Sequence, residues 1–148
     1  MKKIIVTTIL CLGLSSVYAQ KIKGADVPTT VKEGFKKSFP NSKAEEWEKE
    51  DGNFEAEFEV KKVETSALFD ASGNLLQTEV EIPVKELPKA VIDYLSKNET
   101  GKKIKEAAKI TDNKGFISYE AEVGEVDYIF DSTGNFIKKE VEKDDDKK

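Results

Sequence analysis

The chain has 148 residues, with 24 lysines, no arginine, 29 acidic residues and no histidine. Without arginine, planar two-point capture of phosphate or carboxylate is excluded, and an acidic chain of this kind is a poor ligand for nucleic acid. Without histidine, the commonest general base, the commonest zinc ligand and every His-dependent triad are excluded.

Residues 1–19 read as a secretory signal peptide. Lys2 and Lys3 form the positive start, Ile4 to Leu14 is uncharged and apolar, and Val17-Tyr18-Ala19 is a small-x-small cleavage site. Cleavage after Ala19 is expected, leaving Gln20 as the new N-terminus and the product periplasmic or secreted. The apolar run is shorter than the ~20 residues of a membrane span, so no stable membrane anchor is expected. Cys11, the one cysteine, leaves with the leader, so no disulfide is available. What remains carries 22 lysines against 29 acidic residues.

Residues 20–26 are expected to be a flexible N-terminus. Two segments with a common pattern follow, 27–82 and 83–142. Each opens on an apolar residue and proline, Val27-Pro28 and Leu87-Pro88, and proline suits the first turn of a helix. Val27, Val31, Phe35 and Phe39 then recur every four residues, and Leu87, Val91, Tyr94 and Leu95 at three and four. Phe39-Pro40 should close the first helix. The period then changes to two. Phe54, Ala56, Phe58 and Val60 alternate with Glu55, Glu57 and Glu59. Ile117, Tyr119, Ala121 and Val123 alternate with Ser118, Glu120 and Glu122.

Strands are predicted near 43–50, 53–62, 63–70 and 74–82, and again near 103–111, 116–123, 125–131 and 135–142. Asp51-Gly52-Asn53, Asn113-Lys114-Gly115 and two Asp-x-x-Gly-Asn turns, at Asp70 and Asp131, supply hairpin glycines. The nearly constant offset predicts an internal duplication. The expected fold is α+β: a tandem duplication of a helix followed by a four-stranded antiparallel sheet, helices on one face and water on the other. Residues 143–148 are almost all charged and are expected to form a disordered tail.

The order apolar-Pro, amphipathic helix, Phe39-Pro40, Trp47, Gly52 turn, alternating strand and Phe69-Asp70-x-x-Gly73-Asn74 resembles the PepSY-like family of exported bacterial proteins. The resemblance covers roughly Val27 to Glu142. It implies two tandem copies of a β-lactamase-inhibitory-protein-like unit and a non-enzymatic binding module. It does not imply that the target is a β-lactamase. The second segment departs from the pattern, with Ala107 at the position of Trp47 and a shorter hairpin between Val123 and Phe130.

The expected binding face comprises Trp47, Glu55, Glu57, Glu59, Glu120 and Glu122. The glutamates form two acidic rows, read either as a solvated sheet face or as a surface for a cation or a basic partner. Trp47 either packs on the first helix or serves as a partner-facing anchor. The Asp70 and Asp131 turns lack the spacing of calcium loops and read as hairpin turns. No catalytic residues, metal ligands or cofactor are expected. The implied partner is an unidentified envelope or secreted protein, with a hydrolase among the candidates. The alternative function is a small-ligand or divalent-cation sensor that uses the carboxylate rows.

Overall fold

The computed structural model describes residues 20–141. The leader, its cleavage site, Cys11 and the charged tail lie outside the described residues. Among the described residues, two ten-residue helices and nine strands make up the regular structure, with one 3₁₀ turn at Val84–Glu86. Among the described residues, no helix is long and apolar enough to cross a membrane.

This corrects the expected fold class. The chain is mostly β, not an α+β tandem of helix plus four strands. Nine strands, joined by antiparallel pairings within each compact unit, follow in chain order against two short helices. The difference has a physical origin. Each helical pattern persists for only about ten residues before a proline or a glycine-bearing stretch ends it. The alternating segments are individually shorter but more numerous, nine strands against two helices, and an additional strand precedes the first helix.

The chain divides into two compact units, the first ending at Val80. In the first unit, β1 (Gln20–Ile22) pairs antiparallel with β2 (Glu46–Glu50), setting Ile22 opposite Trp47. Three residues with no periodic signal thus find their backbone partners on a strand edge. Helix α1 (Thr29–Ser38) starts directly after Pro28 and buries Val31 and Phe35. Strands β3 (Asn53–Val60), β4 (Val63–Phe69) and β5 (Leu75–Glu81) follow as consecutive hairpins.

One sheet face of this unit carries Trp47, Phe54, Ala56, Phe58, Ala67 and Phe69, which pack with Val27, Val31 and Phe35 into a core. Phe35 is its centre. Its ring lies 5.0 Å from Phe58, 5.7 Å from Trp47 and 6.2 Å from Phe69, each edge to face. That geometry sets the positive ring edge against the negative ring face.

In the second unit, α2 (Lys89–Asn98) follows Pro88 and buries Val91 and Leu95. Strands β6 (Glu106–Asp112), β7 (Ile117–Glu122), β8 (Val126–Asp131) and β9 (Phe136–Val141) again run as hairpins. Leu87, Val91, Leu95, Ala107, Ala121, Val123, Tyr128 and Phe130 form the core. Ala107 occupies a buried position here, and Tyr128 and Leu95 provide bulk in the same cluster.

Both helices rest on a hairpin turn. Gly73, at φ +83°, presses against the Thr30 carbonyl, and Thr30 Oγ1 donates to the Ala71 carbonyl at 2.8 Å. Gly134, at φ +89°, leaves no room for a side chain beneath Ala90 and Val91. Glycine is required there twice over, by the left-handed backbone and by the contact.

Candidate binding surfaces

Strand alternation sends Glu48, Glu55, Glu57, Ser66, Leu68, Gln77 and Glu79 to the face of the first unit opposite the aromatic core. The register places Glu55 between Glu48 and Leu68, and Glu57 between Glu46 and Ser66. Ser66 in turn faces Glu79, and Leu68 faces Gln77.

This row is graded rather than uniformly wet. Glu55 is 3% exposed, Glu57 is half-buried and Glu59 is exposed. Burial holds the Glu55 carboxyl well above its ordinary range; Ser66 offsets this in part, and Glu79, Glu57 and Glu48 add to the rise. Glu57 is pushed up to about 7, chiefly by burial and then by Glu48 and Glu46, with Lys21 acting in the opposite sense. Lys21 forms an ion pair with Glu46 at the edge of the row.

Trp47 does not belong to this face. It is 8% exposed and packs against Phe35 on the core side. In the second unit, Glu120 is buried, between Ala108 and Ile129 in the register. Glu122 is half-buried and accepts from Lys105 Nζ at 2.6 Å. Of the six residues expected on a binding face, Glu59 is exposed and Glu57 and Glu122 are partly accessible. Trp47, Glu55 and Glu120 are buried.

The aspartate turns form one structural type used three times. In each, the carboxylate accepts from backbone N–H groups two and four residues on. Asp70 takes Ser72 and Asn74, Asp112 takes Lys114 and Phe116, and Asp131 takes Thr133 and Asn135, all at 2.8–2.9 Å. These bonds hold the Asp70 and Asp131 carboxyls below the ordinary range, with the side chains of Asn74, Thr133 and Asn135 contributing most. The carboxylates are thereby committed to closing hairpins. Among the described residues, no group of three His, Cys, Asp or Glu side chains is placed to hold a metal ion.

The Asp112 turn departs from its two relatives in a useful way. Its glycine, Gly115, has nothing within 4 Å of where a Cβ would stand, so no helix rests on it. Its fifth residue is Phe116 instead of Asn, and that ring is 70% exposed. Phe116 is held by its own backbone, its N–H bonding Asp112 Oδ1 and its carbonyl accepting from the Asp112 N–H at 3.0 Å. A sequence signal existed: Asp112 to Gly115 has the Asp-x-x-Gly spacing of the other two turns.

The β3–β4 turn had no such signal. Lys61 and Lys62 both have positive φ, 53° and 69°, between the paired Val60 and Val63. The same arrangement joins β2 to β3, where Asp51 and Gly52 have φ 48° and 81°. Asp-Gly is a favoured pair for a two-residue hairpin turn; Lys-Lys is not, and each residue there costs about 1–2 kcal/mol of backbone strain.

The sequence matches the model of the family described as "Putative beta-lactamase-inhibitor-like, PepSY-like" twice, over residues 16–77 and 55–138. Several solved structures share the fold. One is a DUF2874 family protein from Bacteroides uniformis, 20% identical, with 77% of this chain and 88% of that one aligned at a TM-score of 0.66. A second, described as a putative periplasmic protein from Bacteroides eggerthii, is 16% identical over 78% and 88%, also at 0.66. A BLIP-like protein from Bacteroides fragilis is 22% identical over 82% and 92%, at 0.60. No protein with a curated description matches the chain.

Proposed function

Because this chain belongs to the PepSY-like, beta-lactamase-inhibitor-like family, we infer that it is an exported, non-enzymatic binding or inhibitory module. Its target is another protein of the envelope or one secreted from the cell. The leader-like first 19 residues support export, as does the periplasmic description of the B. eggerthii structure with the same fold. A chain without histidine, whose turn carboxylates are engaged with backbone N–H groups, is better suited to recognition than to catalysis.

Phe116 carries this reading. A large aromatic ring 70% exposed on a turn fixed by backbone bonds is a pre-organised anchor. Aromatic anchors dominate interface energetics, and a fixed backbone lowers the ordering cost of binding. Each unit also presents acidic side chains on its sheet: Glu57 and Glu59 in the first, Glu122 in the second. Side chains of this kind suit the polar rim of a contact on either unit.

The test is affinity capture from envelope extract with the tagged chain beginning at Gln20, alongside F116S and the triple variant E57Q/E59Q/E122Q. The expected result is one specific partner, weakened by either variant. Recovery of no partner, or recovery insensitive to both variants, overturns the reading.

A further inference from the structure

We propose that the β3–β4 hairpin tip, Val60-Lys61-Lys62-Val63, is an insertion finger that enters a concave, acid-lined cleft on the partner protein. This inference rests on the binding-module reading and gives the first unit a contact element of its own.

The finger has a rigid root. Phe58 is buried, with its ring 4.6 Å from Phe39 and 5.0 Å from Phe35. Beyond that root the hairpin outruns its neighbours. The last β2 pair is Glu46 with Glu57, and the last β5 pair is Val80 with Thr65. Glu59, Val60, Val63 and Glu64 are cross-paired only within β3 and β4.

The tip has the chemistry of a contact. Val60 and Val63 are each 38% exposed, though they belong to the type of side chain usually placed inside. Lys61 and Lys62 are exposed and adjacent in a chain with a formal charge of −5. Two cations between two exposed valines form a small amphipathic point whose sign is opposite to the net charge of the chain. That complementarity selects an acidic recess with apolar walls. Two lysines and two valines are too few for stable anchoring to a lipid surface, where each lysine contributes only about 1 kcal/mol.

The backbone supports the same conclusion. The neighbouring β2–β3 hairpin achieves the same turn with Asp51-Gly52, so a relaxed sequence for this geometry exists within the same sheet. The second unit builds its corresponding turn with Gly124 at φ 76°, and Val123 beside it is buried. Strain retained at one hairpin of several marks a position where side-chain identity matters more than turn stability.

Two double variants separate charge from strain. K61N/K62G relaxes the turn and removes the cations; K61Q/K62Q removes the cations and keeps the turn strained. The probe is a hexaglutamate peptide titrated into the chain beginning at Gln20 and followed by two-dimensional NMR. Perturbation should centre on the amides of residues 59–64 and vanish in about 1 M salt, where the screening length is roughly 3 Å. Both variants should weaken it about tenfold or more, the scale of losing a paired charge at a contact. K61N/K62G should also raise the melting temperature, and K61Q/K62Q should not. Perturbation spread over other lysines, or unchanged in both variants, overturns the finger. So does tip-dependent binding to phosphatidylglycerol vesicles in place of peptide. In the capture experiment, a partner retained at full strength by K61N/K62G sinks the finger alone. Absence of any partner with the wild type sinks the binding module itself.

Discussion

Gly34 of α1 and Gly73 of the β4–β5 turn meet backbone to backbone, and a Cβ on either would run into carbonyl oxygen. A helix interior normally gains about 1 kcal/mol when glycine becomes alanine. Here the sign should invert. G34A should destabilise the first unit by about 2 kcal/mol or more, since its methyl group would overlap the Gly73 carbonyl. G73A should cost more still, because it adds left-handed strain to the collision. G115A, in open space at φ +84°, should cost only about 1–2 kcal/mol. Denaturant melts of the three variants test the ranking, and a stabilised G34A would refute the close approach.

Glu57 makes a prediction about pH. Its carboxyl titrates near 7 in the folded chain and near 4.5 when unperturbed. The folded state therefore holds that proton longer than the unfolded state. The resulting stability is fully present below pH 4.5 and declines as pH rises toward 7. E57Q, an uncharged mimic, should flatten part of that decline and raise the melting temperature at pH 7. A thermal stability that rises through this window in the wild type, with E57Q less stable than wild type at pH 7, would contradict the assignment.

Trp47 should behave as a core residue. W47A is expected to cost about 3–5 kcal/mol, the range for deleting a large buried aromatic. Its indole is the chain's only tryptophan and is 8% exposed. Fluorescence should accordingly be blue-shifted in the native state and move to the red on unfolding. Full stability in W47A would return Trp47 to consideration as a surface anchor.

Phe116 should show the opposite balance. F116S should change stability by less than about 0.5 kcal/mol, as expected for an exposed side chain outside the core. Partner capture should weaken nonetheless. A large loss of stability with capture intact would place Phe116 in the fold and not in the contact.

The helices were legible because Pro28 and Pro88 mark their starts and Val31, Phe35, Val91 and Leu95 keep helical spacing. The hairpins at Asp70 and Asp131 were legible for a similar reason, since glycine and asparagine betray a left-handed turn. The fold class departs from the α+β expectation because two ten-residue helices are outweighed by nine strands, one of which, Gln20–Ile22, is too short to show a period. The acidic rows were legible only in part. Alternation tells which face a glutamate takes, but not how deeply that face is covered. Glu55 at 3% exposed and Glu59 in the open have the same local pattern. Lys61-Lys62 was invisible because nothing in two lysines announces positive φ; the cross-strand pair Val60 and Val63 imposes it.

That turn also bears on resistance to proteolysis. An exposed dibasic bond is ordinarily the first to be cut by trypsin-like proteases, which must draw several residues into an extended strand. At Lys61-Lys62 the flanking residues are already paired to each other, from Val60 with Val63 back to Phe58 with Thr65. Threading the bond into a protease would require unzipping those pairs as far as Phe58, whose ring is wedged between Phe35 and Phe39. Nicking at this bond therefore reports opening of the aromatic core, and the rate of that cut becomes a gauge of how seldom the core comes apart.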